Sequence, residues 1–198
     1  MRYPPIVKGN SMLALRMLAV PLFLALGGAA LADDVTDALD QARKAYQTGD
    51  FATAKQSADL ASQLIGQKNA EGFAALLPAA LPGWTAGKAE TTSLGNVGFG
   101  VTSASRTYTA ADGKNVQVQI SGDSALLAQF ATLLSNPQIA GVLGKVVMIG
   151  NQRAIQSNEG DVHIVINNKF LVSVTGSGAA EAKLAYARAV DVGKLAKM

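Results

Sequence analysis

The 198-residue chain has no cysteine, one histidine, one tryptophan and only 6% aromatic residues. Without cysteine it has no disulfide, thiolate zinc site, iron–sulfur cluster or thiol nucleophile. A single histidine, His163, cannot supply a multi-histidine metal set, so neither a metal nor a cofactor is expected. Long apolar runs are equally scarce. Beyond Ala32 no stretch approaches the ~20 residues needed to span a bilayer. The net charge of +3 suggests a basic protein, but Arg2, Lys8 and Arg16 supply all of the surplus within a segment that holds no acid. The remainder is neutral, with its cations scattered singly apart from Arg43-Lys44, and lacks the electrostatic footprint of a nucleic-acid binder.

Residues 1–32 have the form of a secretory signal. A basic start leads into the apolar MLAVPLFLALGGAALA, which ends in Ala30-Leu31-Ala32, a small-x-small cleavage pattern. Export is therefore expected, with the periplasm as residence and the extracellular medium as the alternative. No cysteine follows the signal to carry a lipid. The chain after Ala32 is long enough to bury ~70% of its unfolded surface around one core, so disulfides are dispensable.

From Asp33 to Ile65 the spacing predicts a helical hairpin. Val35, Leu39, Ala42, Ala45 and Tyr46 recur at intervals of three and four, and Asp33, Asp34 and Asp37 load the first turn with the charge a helix N-terminus favours. Thr48-Gly49-Asp50 interrupts this pattern. Phe51, Ala54, Ala58, Ala61 and Ile65 then mark a second helix. The stretch Ala45-Tyr46-Gln47-Thr48-Gly49-Asp50-Phe51-Ala52-Thr53-Ala54, with Ala61, resembles the middle of a tetratricopeptide repeat. The resemblance implies two helices packed through alanines, and it makes a peptide-binding adaptor one functional alternative. It covers one repeat, whereas a solenoid needs at least ~3 units.

Gly66, Gly72, Pro78, Pro82 and Gly83 punctuate residues 66–83, predicting a linker with a short helix at Phe73–Leu77. Trp84 follows and is expected to plug the junction between the two structural pieces. Residues 84–198 then read as an α+β domain, a twisted antiparallel sheet with helices on one face. Residues 101–108 alternate, Asp112-Gly113 turns the chain, and Val116, Val118 and Ile120 alternate with Gln117, Gln119 and Ser121. A helix is expected after Ser124 through Leu134, stopped by Asn136-Pro137. Strands resume at Val146–Ile149 and Ala154–Gln156. A hairpin around Asn167-Asn168 follows, and a C-terminal helix begins near Ala179. This order of elements is similar to that of the PsbP/Mog1-like sandwich, a similarity that transfers no functional residue.

Four motifs invite functional readings. Ile120-Ser121-Gly122-Asp123-Ser124, a strand entering Gly-Asp-Ser and then a helix, resembles the nucleophile block of the SGNH (GDSL) esterases. That family also has an Asp-x-x-His near its C-terminus, whereas here Asp161 stands two residues before His163. A helix cap explains Asp123 and Ser124 with fewer requirements, and His163 is expected as a surface histidine beside an acid. Gly95–Gly100 leads into a strand, so it lacks the helix N-terminus of a phosphate cradle. Thr175-Gly176-Ser177-Gly178 joins a strand to a helix, where it either presents backbone N–H groups to an anion or supplies Thr175 or Ser177 as a cap. Arg106, Tyr108, Gln117 and Gln119 offer a guanidinium, a phenol and two amides on adjacent strands, and they are the candidate recognition surface. The expected function is a non-catalytic exported protein that binds an envelope protein or a small polar ligand, with the hairpin as docking element. A hydrolase using Ser124 is the enzymatic alternative.

Overall fold

The computed structural model describes residues 30–94, 101–122 and 144–198. Two antiparallel helices open it, α1 (Ala30–Gln47) and α2 (Phe51–Leu76). Thr48-Gly49-Asp50 forms the tight connection, with Gly49 at φ +79°, and the Asp50 carboxylate caps α2 by accepting the Thr53 N–H at 3.1 Å. Eight strands follow: β1 (Trp84–Ala86), β2 (Glu90–Leu94), β3 (Val101–Ala110), β4 (Asn115–Gly122), β5 (Gly144–Ile149), β6 (Gln152–Ser157), β7 (Val162–Ile166) and β8 (Phe170–Thr175). The chain ends in α3 (Ala180–Ala189) and α4 (Val192–Leu195). All strand pairs are antiparallel in the order β1-β3-β4-β8-β7-β6-β5, with β2 also paired to β3. This is the α+β architecture the alternating pattern predicts.

One sheet face is apolar. Val116, Val118 and Ile120 align with Val172 and Val174, and these with Val162, Ile164 and Ile166, all fully buried. Against this face lie Phe73 of α2, Leu77 just after it, Tyr186 and Ala187 of α3, and Leu195 of α4. The other face carries Ser105, Gln119, Ser173 and His163 in one transverse row and Thr107, Gln117 and Thr175 in the next. It is not wholly polar, since Leu171 and Ile155 are buried there. Tight turns fix the register. Asn167 and Asn168 both adopt left-handed φ, 52° and 53°, in the short loop 167–169 that joins β7 to β8, where the Lys169 N–H donates to the Ile166 carbonyl at 3.0 Å.

Four expectations about local structure are corrected. The second helix does not end at Ile65. It continues to Leu76, and the predicted short helix at Phe73–Leu77 is its last stretch. Gly66 and Gly72 each disfavour a helix interior by about 1 kcal/mol, but tertiary packing offsets this. A Cβ on Gly66 would collide with the Ser93 hydroxyl, so the glycine lets α2 lie close against β2 and β3. The C-terminal helix is divided at Val190-Asp191, where Val190 takes extended geometry and Asp191 caps a new turn through the Lys194 N–H at 2.9 Å. Neither Thr175 nor Ser177 caps α3. Its N-cap is Ala179, and Ser177 Oγ accepts the Asn115 N–H at 3.0 Å instead. Finally, β1 and β2 are two short strands sharing β3, which alternation alone did not separate. The predicted helix after Ser124 and the Gly95–Gly100 loop lie outside the described residues.

Candidate functional site

The register between β3 and β4 decides the fate of the predicted recognition surface. Arg106 stands opposite Val118 and Tyr108 opposite Val116, whereas Gln119 stands opposite Ser105 and Gln117 opposite Thr107. Directly opposed residues point to the same face. Arg106 and Tyr108 therefore project into the core side, and Gln117 and Gln119 into the other, so the structure does not bring the four together. Tyr108 is fully buried and donates its hydroxyl proton to the Pro78 carbonyl at 2.6 Å, while the Arg106 Nη1 donates to the same oxygen at 3.2 Å. Burial pushes the Tyr108 phenol above 10.0, against the opposing pull of the Arg106 charge, which keeps it a neutral donor. Their task here is to hold the loop that follows α2.

An aromatic cluster completes that task. Trp84 meets Tyr186 edge-on at 5.6 Å between ring centres, and Tyr186 lies 4.3 Å from Tyr108. The Tyr186 hydroxyl accepts the Leu81 N–H at 3.2 Å. Trp84 packs at the junction, as its position predicts. Similarly, the Thr175–Gly178 segment is filled by its own chain. Asn115 accepts the Ser177 N–H with Oδ1 at 3.2 Å and the Gly178 N–H with its carbonyl at 2.7 Å, so these donors are not available to an anion.

His163 is half-buried rather than on the open surface. It lies within 3.1 Å of the Ser173 hydroxyl through Nδ1. Asp161 does not orient it by an ion pair. That carboxylate turns to Lys183 Nζ at 2.6 Å, and Nζ also donates to the Glu159 carbonyl at 2.9 Å. Burial holds the His163 pKa below 6.5, with the Asp161 charge pulling the other way, so the ring is neutral at pH 7. A neutral imidazole beside a serine hydroxyl has part of the chemistry of nucleophilic catalysis. Ser173 sits mid-strand in β8, paired on both sides by β4 and β7, so its neighbouring backbone N–H groups serve the ladders. Ser124 lies outside the described residues. Among the described residues no three His, Asp or Glu side chains gather to hold a metal, and no helix is long and apolar enough to cross a membrane.

The depressed histidine makes a testable statement about pH. The unfolded chain binds a proton near 6.5 while the fold resists it, so the neutral imidazole contributes stability above that pH. This contribution is lost as pH falls from 6.5 through the lower folded value. The urea midpoint should therefore be lower at pH 5.5 than at pH 7.5, and His163→Gln should reduce that difference. An unchanged pH dependence in the variant would contradict the assignment.

The remaining surface features lie along α2, which borders three clefts. One, of about 340 Å³, runs beside α1 and is lined by Asp34, Asp37, Ala38, Gln41, Leu60 and Leu64. A second, of about 330 Å³, is polar and gathers Gln67, Glu71, Thr91 and Ser93 between α2 and β2. Ser93 Oγ is buried there without a hydrogen-bond partner. The third, of about 250 Å³, lies between Phe73 and the Lys169-Phe170 turn. Sequence reading missed the polar cleft. The i, i+4 pair Gln67 and Glu71 and the alternate pair Thr91 and Ser93 were visible, but their meeting depends on α2 passing Ile65.

Among the described residues, the hairpin carries the two most exposed large apolar side chains. Tyr46 and Phe51 are 67% and 65% exposed, and Leu39, Leu60 and Ile65 are 43–49% exposed. The two rings meet edge-on at 5.7 Å across the Thr48-Gly49-Asp50 connection. Between the helices only small side chains are buried, Ala38 and Ala45 against Ala54, Ser57 and Ala61. Among the described residues, substantial packing of α1 is with α2 alone, while the later part of α2 rests on the sheet. No protein-family model matches this chain, and comparison with curated proteins and with solved structures finds no match.

Proposed function

We propose that this is an exported, non-catalytic docking protein in which the sheet is a rigid base and the α1–α2 hairpin is the binding element. The observation that carries this reading is the exposure of Tyr46 and Phe51, together with Leu39 and Ile65, on a hairpin whose first helix packs substantially, among the described residues, only on α2. Exposed aromatic and aliphatic side chains in one contiguous patch mark a site of association in a water-soluble domain. The N-terminal pattern of residues 1–32 supports export, and the periplasm is the proposed residence.

The double variant Tyr46→Ser, Phe51→Ser tests this reading. Both rings are exposed, so their loss should leave the thermal midpoint within about 2 °C of the parent, as expected for surface substitutions. The same variant should lose the larger native complex that the parent forms in envelope extracts. Retention of that complex would overturn the hairpin as docking element. Substituting Gln117 and Gln119, on the sheet face away from α3, serves as the control and should leave the complex intact.

A further inference from the structure

Two sets of apolar residues in the hairpin are heptad-spaced. Ala38 and Ala45 on α1, and Ala54 and Ala61 on α2, are seven apart and form the buried seam between the helices. Beside them on one flank run Leu39 and Tyr46, also seven apart, and Phe51, Ala58 and Ile65, at the same interval. A residue seven positions on lies within ~20° of the first around a helix, so each series forms a stripe. The stripes meet at the connection, where Tyr46 touches Phe51. All five side chains of this second set are exposed and none is charged. The opposite flank differs, because Leu60 and Leu64 there adjoin Asp34 and Asp37.

We infer that the occupant of the uncharged flank is a second copy of the same hairpin, packed about a two-fold axis to make a four-helix bundle. This rests on the docking reading above and names its partner. An apolar heptad seam suits a helical bundle, and a seam without charge of either sign is complementary to itself when a two-fold axis sets it on its own image. The nearby ions reinforce this. Arg43 pairs with Asp40 at 3.0 Å and Lys55 with Asp59 at 2.6 Å within their own helices, so these four charges are matched in place. Area gives a third argument. Two aromatic rings about two-thirds exposed and two aliphatic side chains nearly half exposed expose on the order of 500 Å² per copy, so pairing would bury on the order of 1,000 Å². That reaches the lower bound of a specific interface. A hairpin whose own seam is alanine gains from a second apolar layer what its small side chains cannot provide.

Sedimentation velocity of the whole protein over a wide concentration range tests the inference. The expected result is a reversible monomer–dimer equilibrium whose dissociation constant rises about tenfold or more in Tyr46→Ser, Phe51→Ser, as for central aromatic anchors. The Gln117→Ser, Gln119→Ser control should retain the parental constant. Because the chain has no cysteine, Ala58→Cys adds a second readout. Its mid-stripe position should yield a disulfide-linked dimer on mild oxidation. A dimer indifferent to the hairpin substitutions would overturn the inference. So would a monomer at every concentration. If that monomer still loses its envelope complex in the hairpin variant, the docking reading stands with a different partner. If it does not, both readings fall.

Discussion

Asp161→Ala should lower the free energy of unfolding by about 3 kcal/mol and the thermal midpoint by roughly 6–12 °C, the range for a broken buried ion pair in a chain of this size. The Lys183 side chain is only 4% exposed, and its ammonium has two partners, the Asp161 carboxylate at 2.6 Å and the Glu159 carbonyl at 2.9 Å. Removing the carboxylate leaves a buried charge with one neutral acceptor. Lys183→Met should cost less, about 1–2 kcal/mol, because Asp161 is 23% exposed and water can replace its lost partner. The asymmetry is the diagnostic feature. The double variant should resemble Lys183→Met alone, since an uncharged pair leaves nothing buried and unpaired. Urea unfolding of the three variants measures this. Equal losses in both single variants would show that the bridge works as a surface pair. Its structural role is to fix α3 to the turn between β6 and β7.

The second large effect is expected at Tyr186. Its ring is fully buried between Trp84 and Tyr108, and its hydroxyl accepts the Leu81 N–H. Tyr186→Ala should cost about 3–5 kcal/mol, combining lost apolar burial with the cavity left behind. Tyr186→Phe should cost about 1 kcal/mol, through the Leu81 N–H alone. Trp84 is the only tryptophan and reports directly. In Tyr186→Ala the native emission should shift to longer wavelength as the indole loses its edge contact and gains water. An unshifted spectrum together with parental stability would show that the loop is held without this ring.

Much of the sheet was legible in one dimension, for a physical reason. β4, β7 and β8 each place valine or isoleucine on alternate positions, and the turns that precede β4 and β8 contain residues suited to left-handed φ, Gly113 in the first and Asn167 and Asn168 in the second. β3 was different. Its alternate sets, Ser103-Ser105-Thr107 and Ala104-Arg106-Tyr108, are both polar enough to face water. Only its pairing with Val116 and Val118 shows that Arg106 and Tyr108 turn inward. The candidate recognition surface was divided by that register, a non-local fact. α2 illustrates the same limit. Gly66 and Gly72 read locally as helix breakers, and what keeps them helical is the close approach of β2 and the C-terminus, far away in sequence. The hairpin could be read from spacing because its contacts are local, but its exposure could not. Tyr46 and Phe51 were equally compatible with burial against the sheet until α2 was seen to carry them away from it.

The proposed role of the hairpin can be tested most directly in the cell. A photo-crosslinking amino acid placed at position 46, and in a second strain at position 119, would compare the hairpin tip with the far sheet face in the living cell. The expected result is a discrete crosslinked band from position 46 that position 119 does not give, with its mass identifying the partner. Crosslinks from position 119 alone, or none from position 46, would contradict docking through the hairpin.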